Sequence, residues 1–452
     1  MAVADAIGNA ASRRHDARMV LHAPLRSVTV LAASLVLGLT AVAQVPTPTP
    51  APAAAAALDP ARFGRVETHA GLTVLRVWGS PFERGYAHGR LLAKEFVVVA
   101  VPEFTARFAR RPGLLQQARA AVDRLIEYPE DVQQELNGLW QGLVDSKVDL
   151  QMPELERAFD ATDLRIANAL DVFGLMGCSS FTLWGGQVEG GGVLTARNFD
   201  WPLTGAHMVE QTIVVVQHFA DGRAVASVTW PGFVGTVTGV SSDGLAAFLH
   251  VGTAEITYTP EPSSWPTAIA ARALLAAGTG DRATLEARGK DLLGYTSPPA
   301  GFLTHVVLPQ APADGSPALV FETDAKKCVP STAGAGCEVL TNHFRTRTDG
   351  RKASKDSLDR EQSLQKGIAG CVEVDDKVVS VAEAWKLLGS VDRGGKRGFG
   401  TLHSLVFRHE PWCFELRIAT VQDAALVAAP VSERKFALTR AQLFAVGQKL
   451  GD

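Results

Sequence analysis

The chain has 452 residues, of which 46% are hydrophobic and 20% charged, and its formal net charge is -3. These proportions exclude a disordered protein and indicate a globular one, with enough apolar residues for one large domain or two ordinary ones. The small net charge and the lack of a basic stripe in the predicted folded part give no sign of a nucleic-acid partner. The sequence shows no metal-ligand spacing such as HExxH, so we expect neither a metal nor a cofactor.

The first 43 residues have the pattern of a secretory signal peptide. Several arginines precede an apolar run at residues 27–43, which ends in Ala-Val-Ala. This order predicts export, to the periplasm or the extracellular space, with cleavage after Ala43 and no stable membrane span afterwards. Translation could also begin at Met19. The alternative of an uncleaved membrane anchor is less favoured, because the run is short for a span of about 20 residues.

Residues 44–62 are rich in proline and alanine, which predicts a semi-rigid linker between the signal peptide and the folded protein. The folded part is therefore expected to begin at residue 63.

Export changes the interpretation of the five cysteines, because disulfides persist outside the cytoplasm. Cys328 and Cys337 flank a glycine-rich loop that a disulfide could close. If Cys371 also pairs with Cys413, Cys178 is left over as a free, reactive thiol. Other pairings stay open.

The part of the chain before Cys178 is expected to be mainly helical. Residues 67–79 alternate between apolar and polar side chains and contain β-branched residues, which predicts a strand or hairpin. Helical periodicity then follows at residues 102–109, 114–128, 132–144 and 153–176.

The pattern changes to short strands after Cys178. The pair Asp221-Gly222 between two apolar runs predicts a hairpin. Further helices are predicted at residues 265–277, 281–293, 355–369 and 381–388, and further strands at 302–308, 318–322, 338–341, 401–408 and 412–418. This order of elements predicts two antiparallel sheets with helices packed outside them, an α+β fold.

Cys178 directly follows a glycine, between a helical pattern and a strand. Such a cysteine could attack the carbonyl carbon just before it, and the α-amine released by cleavage could then serve as a general base. A small residue before the nucleophile, here Gly177, would let the peptide turn sharply enough to be attacked. The alternative is a buried structural cysteine, which is the commoner role of a lone cysteine.

Arg197 and Asp200 follow within about twenty residues, in the segment ARNFDW. In a regular strand these two side chains would face opposite sides, so we expect a bend near Asp200 that lets both reach the thiol. The alternative is a surface ion pair, which contributes little stability.

Gly177-Cys178 followed by Arg-x-x-Asp resembles the start of the mature chain in the choloylglycine hydrolases. It is still more similar to the self-cleaving acyl-coenzyme A:6-aminopenicillanate acyltransferase group, and both belong to the N-terminal nucleophile hydrolases. The segments GSPFERGYAHGRLLA, LTNHF and TLHSLVF resemble three further elements of the second group, in the same order. The resemblance implies a four-layer αββα sandwich, with residues 63–177 as a helical pro-segment or α chain and residues 178–452 as the catalytic β chain.

The resemblance also implies roles for individual residues. Cys178 would be the nucleophile and new N-terminus, Arg197 would flank it, and Asp200 would orient its α-amine. Asn342 would donate a hydrogen bond to the oxyanion. A late arginine is expected as well, for which Arg393 and Arg397 are the candidates and Arg397 is slightly preferred.

One position departs from the family pattern, since Ser241 stands where relatives carry an asparagine. This puts a side-chain contact to the oxyanion at that position in doubt. His343, next to Asn342, is expected to be a structural histidine rather than a catalytic one. His88 and Arg90 are expected to fix the start of a helix.

These observations predict an autoproteolytically activated amidohydrolase that acts on a small acylated amine or peptide-like substrate, with its two processed chains associated. One alternative is an acyltransferase to an amine acceptor, although export argues against an intracellular coenzyme A donor. Another alternative is a lipid amidase or phospholipase-like hydrolase, which only the shape of the pocket would distinguish from an amidohydrolase of small substrates. A non-catalytic ligand-binding protein of the same fold is favoured only by Ser241.

Overall fold

The computed structural model describes residues 58–445, with short gaps at 170–175, 204–206, 255–263, 299, 314, 333–335, 375–377, 396–398 and 423–424. The predicted signal peptide, the linker up to residue 57 and Arg397 lie outside the described residues.

Eleven α-helices lie within the described residues. In chain order they are α1 (Pro81–Leu91), α2 (Ala93–Phe108), α3 (Pro112–Leu125), α4 (Glu130–Ser146), α5 (Ala161–Ala167), α6 (His207–Glu210), α7 (Thr267–Ala276), α8 (Arg282–Gly294), α9 (Lys355–Val374), α10 (Val381–Ser390) and α11 (Arg440–Phe444).

The strands of the described residues are β1 (Gly64–His69), β2 (Leu72–Val77), β3 (Gln151–Met152), β4 (Arg157–Ala158), β5 (Gly177–Trp184), β6 (Val193–Pro202), β7 (Ile213–His218), β8 (Ala224–Thr229), β9 (Thr238–Ser241), β10 (Ala246–Val251), β11 (Phe302–Val307), β12 (Ala318–Thr323), β13 (Cys328–Thr332), β14 (Cys337–Leu340), β15 (Phe399–Arg408), β16 (Cys413–Ile418), β17 (Thr420–Gln422), β18 (Ala425–Val427) and β19 (Arg434–Ala437).

Two large sheets form the centre of the molecule. One has nine strands in the order β1-β2-β7-β8-β9-β10-β11-β12-β13, and the other has six in the order β14-β5-β6-β15-β16-β19. The strand pairs are antiparallel except for β2 and β7, which run parallel. The strands are rich in buried apolar residues because both faces of each sheet are covered.

The helices cover the outer faces of both sheets, which gives the predicted four-layer αββα sandwich. Between the sheets, Val214 and Phe248 of the nine-stranded sheet pack with Leu405 and Phe414 of the other. Helices α7 and α8 cover the outer face of the nine-stranded sheet, and α9 and α10 cover that of the six-stranded sheet. The fold class expected from the sequence is confirmed.

The segment before Cys178 forms a helical layer of its own, fixed by a close crossing of α1 and α4. Gly85 and Gly89 of α1 meet Gly138 and Gly142 of α4 with backbone against backbone. A β-carbon at Gly85 would lie 1.9 Å from the carbonyl oxygen of Glu135, so a side chain cannot be accommodated there. The glycines in GSPFERGYAHGRLLA are therefore needed for helix packing.

Most predicted elements are present, with ends shifted by a few residues. The hairpin at Asp221-Gly222 joins β7 to β8, and Gly222 has the positive φ of +84° that its turn requires. The helix predicted over residues 153–176 is wrong in its first part, because residues 153–158 form a 3-10 turn and part of the short β3–β4 pair, whereas residues 161–167 are helical and residues 170–175 lie outside the described residues. Helix α5 begins only after Asp160, whose side chain accepts hydrogen bonds from the backbone of Thr162 and Asp163.

The structure gives no support to the disulfides considered from the sequence. Cys328, Cys337 and Cys413 are free thiols. Cys328 lies in β13 at the edge of the nine-stranded sheet and Cys337 in β14 at the edge of the six-stranded one, so the loop between them connects two layers.

Within the described part of the chain, no helix is both long and apolar enough to cross a membrane.

Candidate active site

Cys178 is the second residue of β5, which lies between the edge strand β14 and β6 in the six-stranded sheet. Its register partner on β6 is Phe199, while Gly177 pairs with Asp200 and Ser180 with Arg197. Both strands continue regularly through these positions, so the bend expected near Asp200 is absent. Because side chains alternate along a strand, Arg197 lies on the same face as Cys178, and Asp200 lies on the opposite face, beneath Gly177.

The Cys178 thiol is fully buried between two partners. Its Sγ donates to the carbonyl oxygen of Leu249 at 3.2 Å and accepts from Nη2 of Arg197 at 3.2 Å. Burial raises the pKa of Cys178 to about 11, and Asp200 adds to this, whereas the positive charges of Arg197 and Arg360 act in the opposite direction. The sulfur is thus a protonated thiol at neutral pH, and it would need a proton acceptor to become a nucleophile.

The buried histidines near Arg197 are poor candidates for that acceptor. Burial, together with the charge of Arg197, holds the pKa of His250 and of His403 well below the usual value. His250 Nε2 shares a hydrogen bond with Ser180 Oγ, and His403 Nε2 shares one with Thr238 Oγ1. Both rings are therefore neutral parts of the buried polar network between the sheets.

The backbone nitrogen of Cys178 is held by Asn342, the second residue after the end of β14. This nitrogen donates to Oδ1 of Asn342 at 2.8 Å, and Nδ2 of Asn342 donates to the carbonyl oxygen of Val251 at 3.0 Å. The loop after Asn342 is fixed by the buried carboxylate of Glu322, which accepts hydrogen bonds from three successive backbone N–H groups, residues 345–347. Asn342 is thus positioned at the α-nitrogen that cleavage would release.

Asp200 is fully buried and has two partners on its side of the sheet. Its Oδ1 accepts from Thr401 Oγ1 at 2.7 Å, and its Oδ2 forms an ion pair with Nε of Arg393 at 3.1 Å. Of the two late arginines, Arg393 is therefore the one that the structure places in the site, while Arg397 lies outside the described residues. The sequence favoured Arg397 because it is nearer to Thr401 along the chain.

Arg360, in the second turn of α9, was not predicted from the sequence. Its Nη1 donates to the carbonyl oxygen of Cys178 and to Ser179 Oγ, and its Nη2 donates to Asn342 Oδ1 at 2.9 Å. Thr401 and the carbonyl groups of Leu249 and Val251 were missed as well. The sequence has no signal for these contacts, since they depend on how α9 and the two sheets pack together.

Ser241 lies away from the reacting groups. It ends β9, and its hydroxyl bonds with Asp243 and accepts from the N–H of Leu245, within the turn that leads into β10. The carbonyl groups that contact Cys178 and Asn342 come from the other end of β10, at Leu249 and Val251. Ser241 therefore belongs to a turn at the end of β10 that lies away from Cys178.

His343, which follows Asn342, and His88 of α1 both have structural contacts. His343 Nδ1 lies 2.8 Å from Ser357 Oγ, and its Nε2 lies 3.3 Å from the Glu361 carboxylate. The expectation for His88 and Arg90 was wrong in its detail, because α1 begins at Pro81 with Ser80 as its cap and both residues lie near its end. His88 Nε2 instead accepts a hydrogen bond from the backbone N–H of Gly232.

An apolar pocket with about 700 Å³ of empty space, including its open mouth, lies near Cys178, although Cys178 itself is not one of its lining residues. Met176 and Phe199 line it at the end nearest Cys178, the first preceding the Gly177-Cys178 pair and the second opposite Cys178 on β6. The far wall comes from α2 and includes Phe96 and Phe104. The segment before Cys178 and the segment after it thus build the pocket together.

Glu103 is the charged residue among the lining residues of this pocket. Its Oε1 accepts from Arg107 Nη2 at 2.7 Å, and the Arg107 guanidinium lies over the ring of Trp201. Trp201 and Trp230 line the pocket, whereas Trp184 and Trp412 pack against the core between the sheets.

Among the residues that the structure describes, no group of three or more His, Cys, Asp or Glu side chains could hold a metal ion.

The fold is similar to solved structures at low sequence identity. The C2A mutant of conjugated bile acid hydrolase from Clostridium perfringens is 12% identical, covers 60% of this chain and 99% of its own, and has a TM-score of 0.38. The N-acylethanolamine-hydrolyzing acid amidase ortholog of Caenorhabditis elegans is 15% identical, with coverages of 51% and 92% and a TM-score of 0.35. Penicillin V acylase from Agrobacterium tumefaciens is 15% identical, with coverages of 53% and 83% and a TM-score of 0.36.

Two curated proteins are similar in sequence over part of the chain. An uncharacterized protein of Archaeoglobus fulgidus is 27% identical over 196 residues, which is 39% of this chain and 32% of the relative. The protein dcd1B of Dictyostelium discoideum is 29% identical over 192 residues, which is 38% of this chain and 36% of the relative. The matched part thus spans about a third of the length of these relatives. No protein-family model matches the sequence.

Proposed function

We propose that the chain is a self-processing cysteine amidohydrolase of the N-terminal nucleophile type. The observation that carries this proposal is the arrangement around one residue. The Sγ of Cys178 accepts from Arg197, its backbone nitrogen is held by Asn342, and the buried carboxylate of Asp200 lies beneath the preceding Gly177. A merely structural cysteine needs none of these three contacts.

Self-cleavage begins with attack of Cys178 Sγ on the carbonyl carbon of Gly177. The C–N bond between the two residues breaks, the thiol proton passes to the released α-nitrogen, and a thioester joins Gly177 to the sulfur. Water then opens the thioester, which gives a carboxylate at Gly177 and restores the thiol. In the uncut chain, Arg197 supports the step by favouring negative charge on the sulfur.

The same atoms then act on an external amide. The free α-amine of Cys178, with an ordinary pKa of about 7.7–8.0, accepts the thiol proton as the sulfur attacks, and that proton leaves with the amine product. Water hydrolyses the acyl thioester and completes the cycle. One hydrogen of Asn342 Nδ2 is used by Val251, which leaves the other for the oxyanion; loss of such a donor costs about 100- to 1000-fold in rate.

The substrate we propose is a small amide with an apolar acyl group. The pocket beside Cys178 is lined mainly by aromatic and aliphatic side chains, which suits an acyl group better than a charged amine. Because α2 supplies one wall of this pocket, we also propose that residues 63–177 stay bound as the α chain after cleavage.

The decisive experiment is the intact mass and N-terminal sequence of purified protein. We expect wild type to yield two chains, one beginning Cys-Ser-Ser-Phe, whereas Cys178→Ala stays whole. Cys328→Ala is the matched control, since it removes another free thiol and should be cut like wild type. If wild type stays as one chain under these conditions, the proposed function is wrong.

A further inference from the structure

Two arginines from different elements bind residues around the Gly177-Cys178 bond, and both bind the carboxylate of Asp356. Arg360 of α9 binds the carbonyl oxygen of Cys178 and Oδ1 of Asn342. Arg393, which follows α10, pairs with Asp200. Asp356, one turn before Arg360 on α9, accepts from Arg360 Nε at 3.1 Å through its Oδ2, and the same oxygen accepts from Arg393 Nη2.

We propose that Asp356 and Arg360 are positioning residues for the reactions at Cys178, an inference that rests on the proposed self-cleavage. Together they connect Asn342 on one side of the scissile bond to Asp200 on the other. Neither is among the residues that line the pocket. Arg360 holds the carbonyl oxygen of Cys178, which is not a reacting atom, so both residues act on the reacting atoms through Asn342 and Arg393.

The contact of Arg360 with Asn342 sets the direction of the amide. Oδ1 of Asn342 accepts from two donors, the backbone nitrogen of Cys178 at 2.8 Å and Nη2 of Arg360 at 2.9 Å. If the amide were reversed, its NH₂ group would face both donors and lose both hydrogen bonds. Arg360 therefore keeps Oδ1 on the α-nitrogen and Nδ2 on the side of Val251.

Asp356 balances the charge of the two arginines. The Arg360 side chain is buried, with 9% of its surface exposed, and Arg393 is 17% exposed. Without Asp356, Arg393 would retain Asp200 as its one ion-pair partner among the described residues, and Arg360 would lose the carboxylate that holds its Nε. Both guanidinium groups could then shift relative to Cys178, and a shift of about 1 Å at a reacting group can cost about 100-fold in rate.

The same helix offers a matched control. Asp359 pairs with Lys355 four residues before it, as Asp356 pairs with Arg360 four residues after it, but Asp359 and Lys355 are 54% and 87% exposed. Asp359→Asn removes the same charge from α9 without touching the site. An exposed pair of this kind is worth only about 0.3–0.5 kcal/mol, so the variant should fold and react as wild type does.

The test measures the rate at which newly synthesised full-length chain cleaves itself, followed by gel and intact mass in a cell-free translation reaction. We expect Asp356→Asn and Arg360→Met to slow cleavage about 10- to 100-fold. Arg360→Lys should recover part of the loss because it keeps the charge, and Asp359→Asn should stay within about twofold of wild type. The double variant Asp356→Asn/Arg360→Met should be little slower than the slower single variant, because both act through shared contacts.

Thermal unfolding of each variant, made in the uncut Cys178→Ala chain, separates positioning from folding. We expect Asp356→Asn to lower the melting temperature more than Asp359→Asn does, because it removes the carboxylate shared by two largely buried guanidinium groups, while both chains stay folded at the temperature of the cleavage assay. The inference is wrong if both cleave at the same rate. It is also wrong if the loss of cleavage follows the loss of melting temperature and Arg360→Lys recovers nothing. An uncut wild-type chain is a different result, because it contradicts the proposed function itself.

Discussion

The carboxylate of Asp200 lies directly beneath the α-carbon of Gly177. A β-carbon on Gly177 would lie 3.1 Å from Cβ and 3.2 Å from Oδ2 of Asp200, closer than atoms normally pack. The sequence suggested that a small residue was needed for a sharp turn, but β5 is extended here, and the space is needed for the Asp200 side chain.

The first prediction follows from this contact. Gly177→Ala should slow self-cleavage, and Gly177→Val should slow it further, because each pushes Asp200 away from Arg393 and Thr401. We expect a loss of about 10-fold for alanine and more for valine. The rates are read from the appearance of the chain that begins with Cys178. Gly186→Ala is the control, since a β-carbon there meets no atom within 4 Å; equal rates for Gly177→Ala and Gly186→Ala would contradict the prediction.

The second prediction concerns the pH dependence of self-cleavage. The pKa of the Cys178 thiol is raised to about 11, so the thiolate fraction of the uncut chain grows about tenfold per pH unit below that value. Self-cleavage should therefore become faster from pH 7 to pH 10. Arg197→Met removes the cation that favours the thiolate, so the whole profile should move to higher pH, while Arg197→Lys should move it less.

The control for this profile is Arg223→Met, which removes an arginine from an exposed ion pair at the β7–β8 hairpin. It should leave both the rate and its pH dependence unchanged. A wild-type rate that is flat across this pH range would show that cleavage does not depend on ionisation of the thiol.

The sheets and most helices could be predicted because their signals are local. Alternation along a strand, the hairpin at Asp221-Gly222 and the periodicity of α7 and α8 each depend on neighbouring residues only. The helix predicted to begin at residue 153 begins only at Ala161, and this difference has a local cause too. Asp160 and Asp163 form a capping box that starts a helix at Ala161, and this signal was overlooked.

The candidate site could be predicted only in part. Cys178, Arg197, Asp200 and Asn342 were named from the sequence, and the structure brings them together although Asn342 is 164 residues from Cys178. Arg360 could not be found in this way, because an arginine four residues after an aspartate on a helix looks like an ordinary surface pair. Its burial against Ser179 is visible only once α9 is packed on the sheet.

The third prediction concerns the association of the two chains that the proposed cleavage before Cys178 would give. Glu135 of α4 is buried and pairs with Arg272 of α7 at 2.8 Å, while its other oxygen accepts from Gln217 at 2.6 Å. Glu135→Gln would leave a buried guanidinium without its carboxylate, which typically costs about 3–5 kcal/mol. We expect the free energy of unfolding to fall by this amount in the uncut Cys178→Ala chain.

Urea unfolding measures this change, with Glu286→Gln as the control. Glu286 forms an exposed pair with Lys290 on α8, so its loss should change the free energy of unfolding by less than about 0.5 kcal/mol. In the cut protein, Glu135→Gln should also release the α chain at a lower urea concentration than wild type. Equal effects of the two substitutions would show that the buried pair does not hold α4 to α7.

The fourth prediction concerns the buried ring of His88, which connects α1 to Gly232, a residue that lines the pocket. Burial lowers the pKa of His88 to about 4, from an ordinary value of 6.5. Between these values the unfolded chain binds a proton that the folded chain excludes, so the stabilisation is present above pH 6.5 and is lost as the pH falls toward 4. The accumulated loss from this one residue is about 3 kcal/mol.

His88→Gln can keep the acceptor for the N–H of Gly232 but does not titrate. In the uncut Cys178→Ala chain we therefore expect its unfolding free energy to fall less between pH 7 and pH 4.5 than that of the parent chain. The measurement is urea unfolding at both pH values, and His69→Gln, at a more exposed ring, is the control. Other buried histidines, such as His305, destabilise both chains to the same extent in acid. The difference in unfolding free energy between the two chains therefore isolates His88. Identical acid sensitivity of the His88→Gln and parent chains would mean that His88 is not kept neutral by the fold.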